Sequence, residues 1–213
     1  LSSSADVQSG LVGLYAGGSL GAFKLRAGGL YSLNAVDTKR AVDYPGVSDT
    51  YKASYDAGLG QLFGEVAYAT EMHGVAIEPF ANVAYAGLIT DGFSETGGAA
   101  ALTSGGSFDD ATFTTLGARA STDFTIGSMQ ATAKGSAGWR HAFGDTTPGS
   151  SFAFAGGGAF TVLGVPIARD SAVIEAGVEV SLAPVVDFGV SYGGQFGAGA
   201  SDQSARGTLS VRF

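Results

Sequence analysis

The side chains best suited to acid–base chemistry in this 213-residue sequence are two histidines and a set of scattered carboxylates. His141 follows Trp139 and Arg140, and His73 stands in a turn before a glycine. Nucleophilic catalysis needs a Ser or Cys beside a base that a third group orients. The sequence has no cysteine and offers no Ser/His/Asp arrangement of that kind. It therefore predicts a protein that is not an enzyme and that holds no cofactor.

A metal site is the second chemistry that the acidic residues suggest. Asp109 and Asp110 are adjacent, and Ca²⁺ takes oxygen ligands of this type. The segments around them are rich in Gly, Ser, Thr and Asp, which is typical of solvated external loops. We prefer the interpretation of these segments as solvated loops and predict no metal site.

Composition limits the class of protein. Charged residues are 14% of the chain, well below the roughly 25% of soluble proteins, while 45% are hydrophobic. No stretch approaches the ~18 unbroken apolar residues of a membrane helix. High hydrophobicity without such a run fits a β-barrel, whose apolar residues occupy alternate positions. A net charge of −8 argues against nucleic acid as a partner.

Period-two alternation marks the elements that position the charged residues. The last ten residues, Ser204–Phe213, alternate polar and apolar throughout, which predicts a strand with one wet and one apolar face. Eight earlier segments behave in the same way. Only the segment 51–70 loses its pattern, near Gly58–Gly60, where we expect a bulge or a change of environment. The polar face of these strands carries Lys24, Arg26, Glu65, Glu78, Arg119, Lys134, Arg140, Glu175, Glu179, Arg206 and Arg212.

The connections between strands decide between a soluble β-sandwich and a membrane barrel. Very short turns follow the first, third, fifth and seventh strands. Long connections, at about 36–50, 91–111, 144–170 and 197–203, follow the others. Short turns at one end and long loops at the other are typical of outer-membrane barrels. We therefore predict an all-β fold, an antiparallel transmembrane β-barrel whose polar face lines the lumen.

Strand parity indicates that the barrel is incomplete. Nine strands place the first and the last in the same direction, whereas an antiparallel barrel closes only when they run in opposite directions. The sequence thus predicts that an odd number of upstream strands is missing, or that the count is wrong by one. A wrong count would arise in 51–70 or in 152–165. The second segment is apolar enough to hide a strand, although a loop folded back or a strand extension above the membrane fits it better.

Several segments together resemble the autotransporter β-domain, the translocator of type V secretion. They are Glu78–Tyr85, Asp91–Ala100, Thr115–Ser121, Gly138–Asp145, Phe152–Gly157, Tyr192–Gly197 and the terminal Phe213. The resemblance covers essentially the whole chain, 1–213. It implies a twelve-stranded barrel, preceded by a helix in the pore and a secreted passenger. This sequence would begin at the fourth strand, so that three strands, the pore helix and the passenger are absent.

The resemblance implies a function and a set of partners. The barrel would anchor and export its own passenger to the surface of a Gram-negative bacterium. Outer-membrane lipid and lipopolysaccharide would surround it, and the barrel assembly machinery would read a C-terminal signal made of Gly207, Leu209, Val211 and Phe213. Some family members cut their passenger with acidic lumen residues. Here Glu65, Glu78, Glu175 and Glu179 match that role by position only, and we do not favour it.

Two other functions remain open on the sequence alone. A small outer-membrane barrel could use its external loops as an adhesin or receptor, which upstream sequence would distinguish from a translocator. A soluble β enzyme or binding protein would be monodisperse without detergent. The passenger's identity lies outside what these residues predict.

Overall fold

The computed structural model describes residues 2–45, 47–154 and 156–212, and within them every regular element is a strand. None of the described segments forms a helix long and apolar enough to cross a membrane. The strands are β1 (Ser2–Leu20), β2 (Phe23–Tyr44), β3 (Val47–Tyr68), β4 (Thr70–Met72), β5 (Val75–Thr90), β6 (Phe93–Ser94), β7 (Leu102–Ser104), β8 (Ser107–Ile126), β9 (Met129–Phe143), β10 (Gly149–Phe154), β11 (Ala159–Leu163), β12 (Asp170–Ala183), β13 (Val186–Gly197) and β14 (Ala200–Val211).

Nine long strands form one antiparallel sheet in the order β1-β2-β3-β5-β8-β9-β12-β13-β14, and the short β4 continues β3 along β5. Each strand neighbours the next long strand in sequence, as in an up-and-down barrel. The predicted nine-stranded antiparallel architecture is confirmed. Tight turns join the strands at one end, and at one of them His73 and Gly74 both have positive φ, 52° and 78°. Two successive positive φ angles are typical of a two-residue hairpin turn.

The sheet is open in the described part of the chain. β1 pairs only with β2, and β14 pairs only with β13. Because every pairing is antiparallel and nine strands lie along the path, β1 and β14 run in the same direction. They cannot join each other in an antiparallel ladder. The predicted C-terminal strand is β14, an edge strand of this sheet in the described chain, and it begins at Ala200 rather than at Ser204.

The sheet has almost no apolar core. Among the described residues, the buried hydrophobic side chains are Tyr51, Ala53, Ala67, Ala131 and Ala142. Large apolar side chains instead cover the convex face: Leu14 is 84% exposed, Leu25 52% and Leu209 66%. Monomeric soluble proteins rarely expose apolar patches larger than a few hundred Å². This face therefore needs an apolar solvent, as the lipid-facing band of a membrane barrel does.

Two of the four predicted long connections are wrong. β2 and β3 pair from end to end and turn at Pro45, so that 36–50 is a strand extension rather than a loop. β13 and β14 are joined by only two residues. The alternation is lost in these segments because both faces of a sheet contact water beyond the lipid band, although the ladder of backbone hydrogen bonds continues. Two connections, 91–106 and 144–169, are long as predicted.

The irregular pattern of 51–70 reflects a change of environment and not a bulge. The register between β2 and β3 is uninterrupted through Gly58 and Gly60. On the convex face, a Cβ at Gly58 would lie 2.5 Å from the hydroxyl oxygen of Tyr31, so glycine makes room for that ring. On the other face, Tyr51 and Tyr55 are turned towards loop residues. A register shift does occur between β12 and β13, at Ser181.

The two long loops combine into a second, four-stranded sheet in the order β11-β10-β7-β6. β10 and β11 form a hairpin within 144–169, and β10 also pairs with β7 of the preceding loop. The segment 152–165 is therefore not a hidden barrel strand. Aromatic rings hold this sheet together, with the Phe93 and Phe152 centroids 6.2 Å apart and those of Phe154 and Phe160 5.6 Å apart.

Gly117 is a position where the packing of the main sheet can be tested. A Cβ there would lie 2.6 Å from the Ala137 carbonyl oxygen and 2.8 Å from the Phe80 ring. We predict that Gly117→Ala destabilises the sheet by about 1–3 kcal/mol, because overpacking displaces backbone atoms. The measurement is the temperature at which the detergent-solubilised protein loses its folded migration on a gel.

Gly64→Ala is the matched control, because no atom lies within 4 Å of the added Cβ. Removing a strand glycine without a clash lowers the entropy of the unfolded chain, so this variant should be unchanged or slightly more stable. Equal losses in both variants would show that close packing at Gly117 is not the cause.

Candidate functional site

The charged residues predicted for a lumen share the face of the main sheet opposite the apolar one. Ladder partners show this, since paired residues point to the same side: Arg26 pairs with Glu65, and Glu78 with Arg119. The face is concave, because a cavity of about 450 Å³ is lined both by Lys24 of β2 and by Thr208 of β14. The eleven residues on it are Lys24, Arg26, Glu65, Glu78, Arg119, Lys134, Arg140, Glu175, Glu179, Arg206 and Arg212.

Five of these residues form one ion-pair network on the β2–β8 wall. Arg26 Nη1 lies 2.7 Å from both Glu65 Oε1 and Glu78 Oε1. Arg119 Nη2 lies 2.6 Å from Glu65 Oε2, and its Nη1 lies 3.1 Å from Glu78 Oε1. Lys24 Nζ completes the network, 2.9 Å from Glu78 Oε2. Since the five residues come from β2, β3, β5 and β8, the network ties four neighbouring strands together.

The network is shielded from water on one side. The side chains of Glu65 and Glu78 are only 7% and 12% exposed. The Arg119 guanidinium lies flat over Phe80, 3.9 Å from the ring centre, in a cation–π contact. Removing either glutamate would leave three cations with a single carboxylate in a partly dry site, which costs more than losing an exposed pair. The role of the network is therefore structural first.

The β9–β14 wall carries looser charges. Lys134 Nζ is 3.0 Å from Glu179 Oε2, with both side chains at least half exposed, and Arg212 pairs with Asp187 at 2.8 Å. Arg140 has only neutral partners, Thr115 and Gln195. Within the described residues, Glu175 and Arg206 have no ion pair. The structure thus brings the predicted residues to one face but links them in separate groups.

An apolar patch on the concave face was missed by the sequence reading. Leu11, Tyr15 and Phe63 share this face, and the rings of Tyr15 and Phe63 stack with centroids 6.3 Å apart. Leu11 is 69% exposed and Tyr15 67% exposed. The signal in the sequence is that β1 is apolar at 11, 12, 14 and 15, and so on both of its faces.

A loop latch at the external end is the second feature that the sequence reading missed. Arg40 of β2 holds Glu95 of the 91–106 loop through two hydrogen bonds, Nε to Oε1 at 3.1 Å and Nη2 to Oε2 at 2.5 Å. Arg40 also donates to the Ala100 carbonyl oxygen, and the Leu102 N–H donates to Glu95. The guanidinium lies 4.4 Å from the centre of the Tyr51 ring.

The latch is the best-packed part of the described chain. Tyr51 is 1% exposed, and its hydroxyl accepts from the Ala100 N–H and donates to Asp49. A backbone bridge joins Lys52 to Thr96 in both directions. Burial raises the pKa of Glu95, but the hydrogen bonds from Arg40 and Leu102 outweigh it, so that its pKa lies below the ordinary value. Nothing in a period-two pattern signals a contact 55 residues apart.

The candidate acid–base residues do not form a catalytic site. Trp139 and His141 lie on the convex face, as predicted, where both contact Asp170: Trp139 Nε1 donates at 3.0 Å and His141 Nδ1 lies at 2.8 Å. His141 and Phe143 pack edge to face. This aromatic group resembles the interfacial belts of membrane proteins.

The remaining predicted residues lie in the acidic loops and in the C-terminal strand. Asp109 accepts a hydrogen bond from Ser107, and no group of three or more potential metal ligands occurs among the described residues. Gly207, Leu209 and Val211 share the convex face of β14, whereas Phe213 lies outside the described residues.

Comparison with known proteins adds a family, two relatives and a fold. The sequence model of the autotransporter beta-domain matches residues 1–193. Two proteins named extracellular serine protease, both from Serratia marcescens, are each 39% identical over 203 residues. These matches cover 95% of this chain and 19% of each relative, so the chain spans about a fifth of their length. The translocator domain of autotransporter NalP from Neisseria meningitidis is similar in structure, with a TM-score of 0.71 at 17% identity over 99% of this chain and 68% of that one.

The loop latch generates a pH-dependent prediction. Because the pKa of Glu95 is depressed in the latched state, its ionisation stabilises the latch above the ordinary glutamate pKa. This stabilisation is lost as the pH falls through the depressed pKa. A nitroxide on Ala99→Cys should be immobile at pH 7 and mobile in acid, as read by electron paramagnetic resonance. The chain has no cysteine to compete for the label.

Glu95→Gln removes the titrating group and should leave the label mobile at every pH. The free energy that holds the loop closed should fall by an amount on the order of 2 kcal/mol. Glu71→Gln, on the exposed β4 strand, is the control and should preserve the acid transition. A label whose mobility in the Glu95→Gln protein still follows the acid transition would contradict the assignment of Glu95.

Proposed function

The chain belongs to the autotransporter β-domain family, and we propose that it exports an upstream segment of its own protein through the lumen beside its concave face. It is a β-barrel translocator domain of the Gram-negative outer membrane, a component of type V secretion. The passenger, its route and its fate belong to the proposal. The adhesin or receptor alternative is not favoured, because the family model matches residues 1–193, most of the chain.

One observation carries the proposal: the two faces of the sheet suit two different solvents. The convex face is apolar from β1 to β14 and suits lipid. The concave face carries charges of both signs, most of them neutralised in place by short ion pairs. Such a wall is hydrated, yet it offers few unsatisfied charges to a passing polypeptide. A lumen of this kind can hold an extended chain without binding it tightly.

The open edges of the sheet support a larger barrel. β1 and β14 run in the same direction, so an odd number of further strands is needed to close an antiparallel barrel. We propose that residues 1–213 are the C-terminal part of the translocator, and that three strands, a pore helix and the passenger precede them in the full protein. This chain aligns with 68% of the longer NalP translocator domain, which leaves room for additional strands.

We propose that this domain has no enzymatic role of its own. The relatives are named as serine proteases, but the match covers only 19% of their length. The two histidines of this chain lie in a turn and on the convex face, where His141 contacts Asp170. Protease activity in a longer protein would reside in the passenger.

The proposed partners follow from where each surface lies. Outer-membrane lipid contacts the convex face, and lipopolysaccharide contacts its external aromatic rim near Trp139. The barrel assembly machinery recognises β14, whose outer backbone edge is without a ladder partner in the described chain. We propose that Gly207, Leu209, Val211 and Phe213 form the apolar signal on that strand.

Export through the lumen is tested with adjacent cysteines on opposite faces. Ser191 lies on the concave face and Val190 on the convex face. A disulfide-looped reporter placed upstream stalls during export and carries one further cysteine. We predict that Ser191→Cys in the full-length protein cross-links to it at least several-fold more than Val190→Cys. Surface protease treatment of whole cells verifies that the leading end has emerged.

A stalled reporter that emerges but cross-links equally to both positions would place the route outside the concave face. A reporter that never reaches the surface, although both proteins are assembled, would contradict the export function itself.

The assembly signal is tested with two leucines of the same face. Leu209 of β14 and Leu116 of β8 are both exposed on the convex face. We predict that Leu209→Ala slows the appearance of heat-modifiable barrel in pulse-chase labelling by several-fold. Leu116→Ala loses the same contact with lipid and should assemble at the normal rate. Equal slowing in the two variants would mean that lipid contact, not recognition, explains the effect.

A further inference from the structure

The cations of the concave face differ in their partners. Three of them, Lys24, Arg26 and Arg119, share two glutamates, while Lys134 has Glu179. Arg212 pairs with Asp187. In the described part of the chain, Arg140 and Arg206 are within 4 Å of no carboxylate. These two arginines therefore keep their charge available, on a wall where the others are neutralised.

Neutral groups hold Arg140 in a fixed orientation. Its Nε donates to Thr115 Oγ1 at 3.3 Å, and its Nη1 donates to Gln195 Oε1 at 2.8 Å. Gln195 is held in turn by Ser171, and Thr115 and Ser171 are 5% and 3% exposed. A guanidinium has five N–H donors, so three remain without an acceptor among the described residues. A partly desolvated cation in this state gains most from a carboxylate, which it can bind in a bidentate manner.

Both arginines line one polar cavity of about 520 Å³. Asn82, Ser191 and Ser204 add neutral hydrogen-bonding groups to it. The charged residues lining it are Arg119, Arg140, Arg206, Glu65 and Glu175, which leaves a net charge of +1. Because Glu65 and Arg119 belong to the ion-pair network, Glu175 is the one acidic group opposing the two available arginines. The cavity therefore favours a single added carboxylate.

We propose that Arg140 and Arg206, which line one cavity, are two carboxylate-binding positions for acidic side chains of the polypeptide that passes through the lumen. The inference rests on the proposed export function and gives the lumen a chemical preference. A glutamate or aspartate supplies the charged acceptor that Arg140 lacks. A glutamine supplies an acceptor without the opposite charge. Acidic segments are thereby held at this wall, whereas the cations of the β2–β8 wall already have carboxylate partners and contact them weakly.

The site is tested by converting each arginine into a reactive amine. Arg140→Lys and Arg206→Lys keep the positive charge, and a carbodiimide then links the new amine to any carboxylate in contact with it. The upstream reporter, stalled as above in the full-length protein, carries in its lumenal part either a glutamate-rich stretch or a matched glutamine-rich stretch. Mass spectrometry maps the linked residue, so that links at Lys24 and Lys134 are separated from those at 140 and 206.

The expected result is a link to the glutamate-rich stretch at 140 and 206 that exceeds the link at Lys134 by about tenfold, the ratio that one charge-assisted hydrogen bond supports. The glutamine-rich stretch should give none. Arg212→Lys is the matched control, since its amine faces Asp187 and should link there instead. Heat-modifiable migration verifies that each variant is folded.

Equal links at 134, 140 and 206 would overturn the inference, since they would show a hydrated wall without preference. A link at 140 that is no stronger with the glutamate-rich stretch than with the glutamine-rich one would also overturn it, because the linked carboxylate would then not come from the passing polypeptide. Both results leave surface emergence of the reporter intact. A reporter that fails to emerge, in contrast, refutes the export function and not the site.

Discussion

The structure depends on one constraint: every backbone N–H and C=O of a strand in lipid must be hydrogen-bonded within the sheet. An apolar solvent offers no alternative partner, so an open edge or an irregular segment is costly there. Long, uninterrupted ladders such as the one between β2 and β3 follow directly. The same constraint explains why five buried apolar side chains suffice in the described chain, since lipid takes the place of a core.

The backbone hydrogen bonds do not hold the side chains of the concave face together, and electrostatic interactions do so instead. No apolar core presses the strands together there, and the strands of the β2–β8 wall are instead tied by arginines that each reach two glutamates. Small residues make this geometry possible, because Gly117 leaves the space into which Phe80 and the Arg119 side chain fold. The charged network thus does for the inner wall what apolar packing does in a soluble protein.

Periodicity predicted the nine strands and the face of all eleven charged residues because a residue between lipid and a hydrated lumen has only one acceptable side. Where that contrast ends, the prediction failed. At 36–50 both faces meet water, so the strand continued without alternation. The Arg40–Glu95 latch and the β10–β7 pairing join segments distant in sequence. Such contacts depend on how the segments 91–106 and 144–169 fold at the external end of the sheet, which no single segment encodes.

The pairing of charges could not be read from the sequence either, although their face could. Arg26 and Arg140 stand at equivalent places in alternating strands, yet one has two glutamates and the other has Thr115 and Gln195. The difference arises because register decides which residue lies opposite, and a shift of one residue would send the partner to the lipid side. Two walls of similar composition are consequently unlike in chemistry: in the first every cation has a carboxylate partner, and the second keeps cations without one in the described part of the chain. A polypeptide in the lumen between the two walls is therefore subject to a preference for carboxylates that results from strand register rather than from composition.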